Sequence, residues 1–440
     1  MSRGLLRRAA VPVLGALLTI AAASSAPSRA AVPCDADNAN LTLPAGFCAT
    51  VYATNVGAPR HVVVAPNGDM LVIVNPYSTA AEAGGGAAGT GRQAGSLTLL
   101  RDANGDGKAE YMKRLAPGSG SGIALSGGYV YYSSSNSIVR STYKTGDTTV
   151  GPAEVVISDL YRGGHVSNAF VMVGSTLYLN IGSGTNSCQE PDRRPLVKGT
   201  DPCVELETRA GVWSYDATKL GQKVTDGVRF ATGMRNSVSL TVDPRDKSLW
   251  ATMHGRDGLQ APPVGQWTFS NEYGSENPGE QTNHILKGDD FGWPYCYFST
   301  EEKKLVNSPE YGGDGKNSDR CESRKKPAYV FPAHWAPNDM MFYTGTQFPG
   351  EYKSGAFVAF HGSWNRAPFP QQGFRVVFLP LNGEKASAHR DFATDFSANG
   401  GPGKDGKLHR PTGLAQGADG SLYIADDVGG IIYKVSYKGK

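Results

Sequence analysis

A turn followed by an apolar strand recurs six times along the chain, and this recurrence constrains the fold more than any other feature. Ala65-Pro-Asn-Gly-Asp-Met-Leu-Val-Ile-Val74 states it most fully, and Gly127–Ser133, Val173–Asn180, Asp243–Ala251, Lys353–Phe360 and Gly417–Ala425 repeat it. In each, turn-forming residues precede an apolar run of strand type. The spacing is irregular but mostly near or above the roughly 40 to 50 residues of a four-stranded propeller blade, and longer gaps hold inserted loops. With 56 glycines, 27 prolines and 20 tyrosines among 440 residues, the composition favours short strands and tight turns over helices. The expectation is an all-β chain, a six-bladed β-propeller with inserted loops, occupying residues 31–440 as one domain. Pairing of a first strand near Val51 with Ile431–Val435 would close the ring, because an open ring exposes strand edges. The competing architecture is an unclosed pair of β-sandwiches. Inserts are expected at Glu82–Gly95 and Gln260–Lys325.

A net charge of +3 gives no reason to expect a nucleic-acid partner. Met1–Arg8 is positively charged, Ala9–Ala23 is apolar, and Ser28 and Ala30 are small, so residues 1–30 read as a secretory signal, removed on export. No stretch of the mature chain reads as a membrane span. The six cysteines fall into neighbours, Cys34 with Cys48, Cys188 with Cys203 and Cys296 with Cys321, which suits a periplasmic or secreted protein closing three local loops. Fifteen pairings are open to six cysteines, and the sequential one is the expectation.

Propeller geometry brings equivalent strand ends to one axis. Gly163-Gly-His165, Gly233-Met-Arg235-Asn236, the strand end Phe357–Phe360 running into His361-Gly-Ser-Trp-Asn-Arg366, His409-Arg410-Pro411 and Arg60-His61 all stand next to apolar strands. Several guanidinium groups around one funnel suit a small, multiply anionic ligand, since each can hold a carboxylate through two parallel bonds. Two Gly-x-Gly-x-x-Gly matches, at 84–89 and 401–406, neither follow a strand nor open a helix, and so do not predict a nucleotide. Asp102-Ala-Asn104-Gly-Asp106-Gly offers oxygens at alternating positions and reads as a structural calcium loop or an ordinary turn.

The phrases Gly164-His165, Leu177–Asn186, Gly233-Met-Arg-Asn236, Gly288–Cys296, His361–Arg366 and Arg410-Pro-Thr-Gly-Leu-Ala together resemble the soluble quinoprotein sugar dehydrogenases, in the sorbosone- and pyranose-dehydrogenase-like branch related to soluble glucose dehydrogenase. The resemblance runs from about Gly46 to Val435. It implies a six-bladed propeller, pyrroloquinoline quinone (PQQ) in the axial pocket and calcium bridging protein and quinone. It also implies oxidation of a sugar or sugar-aldehyde hydroxyl, with a histidine taking the proton as hydride leaves carbon. His361 and His165 are the two candidate bases, with His361 slightly preferred. Arg60, Arg235, Asn236, Arg366 and Arg410 are the implied quinone contacts, and a separate electron acceptor is required. Asn168 and Thr412 stand where relatives carry arginines. Two other classes compete: a calcium-dependent propeller lactonase, which would want carboxylates around an axial metal, and a sugar-binding propeller without cofactor.

Overall fold

The computed structural model describes Met1 and residues 34–78 and 92–439. Residues 1–30, expected to be a signal, fall almost wholly outside them, as does most of the insert expected at 82–95. Among the described residues, six sheets each contain a run of four antiparallel strands. Blade 1 comprises Ala58–Val64, Met70–Asn75, Ser96–Arg101 and Tyr111–Pro117; blade 2 comprises Ile123–Ser126, Tyr129–Ser134, Ser137–Thr142 and Glu154–Ser158. Blade 3 follows with Phe170–Val173, Thr176–Ile181, Gly211–Asp216 and Val228–Thr232, and blade 4 with Leu240–Val242, Leu249–Met253, Glu280–Ile285 and Tyr329–Phe331. Blade 5 is Pro337–Phe342, Gly355–Phe360, Arg375–Asn382 and Arg390–Ala393. Blade 6 takes Pro411–Gln416, Leu422–Asp426 and Ile431–Tyr437 from one end of the chain and Phe47–Ala53 from the other.

Val51 pairs with Tyr433 in that last sheet, so the ring closes as expected. The six recurring phrases supply the second strand of each blade, five of them with the turn that leads in from the first. These second strands are continuous apolar runs because a propeller covers both faces of each sheet. Met70–Val74 and Gly355–Phe360 are buried throughout. Among the described residues six core clusters lie one at each seam, and two smaller ones lie in the loops that project from blades 3 and 4. Tyr52, Val62, Met70, Tyr423 and Ile432 join blades 6 and 1, for example, and Val212, Leu240, Leu249 and Ile285 join blades 3 and 4. The seam of blades 5 and 6 is the most aromatic, with Phe47 edge-on to Phe348 and Phe392 at 4.8 and 5.0 Å. Each such buried side chain contributes about 1.5–3 kcal/mol of transfer free energy.

The cysteines are bonded in the sequential order: Cys34–Cys48, Cys188–Cys203 and Cys296–Cys321. The expected insert at 260–325 is corrected. The third strand of blade 4, Glu280–Ile285, lies inside it and divides it into a segment holding the helix Asn271–Glu276 and a second holding the hairpin Cys296–Ser299 and Lys304–Asn307. Glu-Gln-Thr-Asn-His-Ile carries five polar residues, yet all six are buried, so apolar periodicity does not reveal it. Among the described residues no helix is long and apolar enough to cross a membrane.

Candidate functional site

Antiparallel pairing brings two kinds of connection to the same end of the ring: those from the fourth strand of one blade to the first of the next, and those from second to third strands within a blade. His165, Arg235, Asn236 and Arg410 sit in the first kind; His254, Asp257 and the segment 361–374 sit in the second. The loop 102–110 joins third to fourth strands and emerges at the opposite end. Asp102, Asp106 and Glu110 do gather their carboxylates there, while Asn104 donates to Asp106 at 3.2 Å. Asp102 also accepts from the backbone of Gly105 and Gly107, as a closed turn requires. These residues take no part in the axial site.

At the first end lies a cavity of about 180 Å3 lined by His165, Arg235, Asn236, His254, Asp257, Glu280, His334, Trp364 and Asn365, with Gly362 on its wall. Local backbone fixes the first of these. Gly164 has φ of +68°, and a Cβ there would lie 2.5 Å from the carbonyl oxygens of Ser183 and Gly184, so only glycine brings the chain this close. The His165 amide then donates to Ser183 O at 2.8 Å. Its Nδ1 lies 2.8 Å from Ser183 Oγ, and that hydroxyl donates to Thr185 O at 2.6 Å. Since the hydroxyl proton is spent on Thr185, Nδ1–H is the donor to Ser183 and Nε2 is left with its lone pair. Burial, reinforced by the Arg235 charge, pushes the His165 pKa down to about 2, so the ring is neutral at any ordinary pH.

Arg235 is buried with its donors committed to Asn186, to Gly255 O at 2.7 Å and to Asp257 at 2.9 Å. It braces the cavity wall from behind. Asp257 is the hub of the site, accepting from Arg235, from Arg193 at 3.0 Å and from Asn365 at 3.0 Å, donors on three different loops. Burial alone would raise its pKa, but Arg235 and Arg193 override it and hold the carboxyl well below the usual range. Glu280 behaves in the opposite way. Its oxygens accept only from the backbone of Gly255 (2.9 Å) and Ala336 (3.3 Å), and burial pushes its pKa up to about 8. His254 donates Nε2–H to Pro337 O at 3.0 Å and is pushed down to about 4 by burial.

A second cluster is joined to this cavity through Gly362. Arg410 holds the carbonyls of His361 (2.8 Å) and Gly362 (2.5 Å). His361 Nε2 donates to Asp427 at 2.8 Å, and Asp427 also accepts from Arg60 at 2.6 Å. His361 is therefore oriented by a carboxylate but does not line the cavity. Arg366 is not brought to the site at all: its buried guanidinium binds the carbonyls of Ser275, Ala333 and Pro370 and the Glu276 carboxylate, clamping the 361–374 segment to the blade 4 insert. Thr412 faces backbone, bonding to Pro59 O and Ala425 O, and Asn168 bonds Ser135 O at 3.4 Å, so neither offers a ligand contact.

Sequence reasoning did not single out His254, Asp257, Glu280, His334 or Ser183. One signal was available for His254, which follows the second strand of blade 4 as His361 follows that of blade 5. Two carboxyls, the half-buried Asp257 and the buried Glu280, line the cavity beside its arginine and histidines.

A family model described as TrAA12-like matches residues 41–438. The chain belongs to the TrAA12-like family. This TrAA12-like chain is 28% identical over 288 residues to a pyrroloquinoline quinone-dependent pyranose dehydrogenase of Coprinopsis cinerea, covering 55% of the chain and 37% of that protein. It is 26% identical over 367 residues to a pyrroloquinoline quinone-dependent sugar dehydrogenase of Hypocrea jecorina, covering 75% of the chain and 76% of the relative. The chain thus spans well under half the length of the Coprinopsis protein, and 48% of another curated relative. Among solved structures, the holo form of the Coprinopsis cinerea pyranose dehydrogenase PQQ domain superposes with a TM-score of 0.70 over 90% of this chain and 97% of that one, at 22% identity. At that identity the superposition establishes the propeller fold.

Proposed function

We propose that this protein is an exported PQQ- and calcium-dependent dehydrogenase that oxidises a hydroxyl of a sugar or sugar aldehyde, with His165 as the base. The observation that carries the reading is the tautomer of His165, a half-buried neutral imidazole on the cavity wall whose Nε2 keeps its lone pair. The named relatives are PQQ-dependent sugar dehydrogenases. The donor set fits the cofactor. Arg60 has a buried Nε with no hydrogen-bond partner, and the Asn236 side chain lines the cavity without a protein partner among the described residues. Arg60, Arg410 and Asn236 would hold the quinone carboxylates, and the ionised Asp257 supplies the hard oxygen that calcium prefers. Arg235 acts as a positioning residue, through Asp257.

When bound, PQQ supplies the hydride acceptor and calcium the Lewis acid that polarises it. The protein does the rest. Trp364, 72% exposed at the mouth, offers a flat apolar face to a sugar ring. His165 Nε2 takes the hydroxyl proton as hydride leaves the same carbon, converting the alcohol to a carbonyl by loss of two electrons and two protons overall. The imidazolium formed is stabilised by the Asp257 carboxylate, whose charge raises the His165 pKa. His361, held by Asp427 outside the cavity, keeps Arg60 and Arg410 in place. Electrons then pass to a separate acceptor. Three disulfides suit a periplasmic or secreted location.

Calorimetric titration of metal-stripped protein with PQQ, with and without calcium, tests the reading. Calcium-dependent binding, followed by reduction of the quinone with at least one sugar of a panel, is the expected result. Failure to bind PQQ under either condition overturns it, and hydrolysis of lactones by the calcium-loaded protein would replace it with the hydrolase alternative.

A further inference from the structure

A second cavity lies away from the axial site, in the blade 4 insert. It has a volume of about 550 Å3, against about 180 Å3 for the axial cavity. The hairpin of the insert, the segment ending at Lys326 and the fourth strand of blade 4 enclose it. Its floor is apolar, with Phe298, Leu305, Tyr329 and Val330, and the Tyr329 ring is fixed by its hydroxyl's 2.9 Å bond to His389. The Cys296–Cys321 bridge, whose Cys321 forms part of the wall, ties the two sides of the insert together. A volume of this size is within the roughly 300–1,000 Å3 of small-molecule sites.

Charge distinguishes this groove from ordinary surface. Lys303, Lys304 and Lys326 line it against the single acid Glu322, and the glutamates of the hairpin turn, Glu301 and Glu302, do not. Three neighbouring cations of the same insert are neutralised: Arg320 by Asp201 at 2.8 Å, Arg324 by Asp290, and Lys325 by Asp289 at 3.7 Å. The three groove lysines have no carboxylate partner among the described residues, and Lys304 has only a 3.3 Å contact to Ser318 Oγ. An apolar, aromatic-containing floor beneath surplus ammonium groups is complementary to a ring that carries an acid.

We propose that this groove binds a small aromatic anion, a ring bearing a carboxylate or sulfonate, with the ring on Phe298 and Tyr329 and the acid between the lysines. The site is independent of the chemistry in the axial cavity. The probe is 8-anilinonaphthalene-1-sulfonate, followed by fluorescence on the full chain, with neutral N-phenyl-1-naphthylamine as its uncharged counterpart. One saturable site is expected, at least about tenfold tighter for the sulfonate and displaced by benzoate. Lys304→Glu/Lys326→Glu should weaken the sulfonate by about tenfold or more at unchanged melting temperature, leaving the neutral probe unaffected. Val330→Trp, which fills the groove without changing charge, should weaken both probes. Equal binding of the two probes, sulfonate binding untouched by either variant, or displacement by PQQ instead of benzoate would each overturn the proposal.

Discussion

Glu280 is a carboxyl that the fold holds protonated, and replacing it with glutamine tests the electrostatics of the axial cavity directly. Its side chain is buried and meets two backbone amides and no cation, so the charged form is penalised and the pKa is about 8. In the unfolded chain the same group titrates near 4.5. Between these values the native state holds a proton that the unfolded state has released. Stability therefore falls as pH rises through this window and is level below and above it. At about 1.4 kcal/mol per pH unit, the whole window amounts to roughly 5 kcal/mol. Glu280→Gln keeps the shape, preserves acceptance from Gly255 with its carbonyl oxygen, and gives up only the longer contact to Ala336. It does not titrate. The assay is the free energy of unfolding by urea, in chelator, for both proteins at half-unit intervals from pH 5 to 8. The wild type minus variant difference should decline steadily, by about 4 kcal/mol across that range. A difference flat to within about 1 kcal/mol would show that Glu280 is ionised like any surface glutamate, and the account of Glu280 as a carboxyl neutralised by burial would fall.

Four further outcomes follow from the same geometry. In PQQ-loaded enzyme, His165→Gln should lower kcat by about 10²–10⁴, the range for loss of a general base, while His361→Gln should chiefly weaken PQQ binding; the reverse pattern in steady-state kinetics and calorimetry would make His361 the base. Glu310 is buried, pairs with the buried Arg256 and accepts from Ser187 and from Trp267 at 2.7 Å, so Glu310→Gln should cost about 3–5 kcal/mol in chemical denaturation by leaving Arg256 unpaired. His409 is clamped between Asp426 (2.5 Å) and Asp405 (2.9 Å), whose charges outweigh burial and raise its pKa. Its stabilising contribution is present below the ordinary value of 6.5 and is lost as pH rises through the raised one, so Asp405→Asn should destabilise the protein at pH 6 and much less in alkali. Asp102→Ala, at the opposite end of the ring, should leave the PQQ titration unchanged.

The fold was legible because a propeller repeats its most buried element. Each second strand is covered on both faces and must be apolar, and its entry turn needs glycine or a polar pair, so the same phrase returns once per blade. Third and fourth strands carry no such requirement. Glu280–Ile285 satisfies its surroundings with hydrogen bonds and a caged acid instead of methyl groups, and nothing in its pattern marks it as a strand. Closure was legible for a related reason, since Phe47–Ala53 has no partner near it in sequence and only the far end of the chain could supply one.

For the site, the sequence revealed where charged residues would gather, and could not reveal which way they would point. Arg235, Arg366 and Arg410 stand at the same end of the ring, but one braces Asp257, one clamps backbone carbonyls beneath the surface, and one grips the turn after His361. The difference lies in partners contributed by loops of other blades, Asp257, Ser275 and Gly362, which are set by the ring and not by neighbours in the chain. The same holds for the two histidines. Each has one nitrogen fixed by a bond, and only the fold decides that Ser183 presents His165 to the cavity while Asp427 draws His361 toward Arg60. Each imidazole is oriented by the acceptor behind it, and that acceptor lies 18 residues from His165 but 66 from His361.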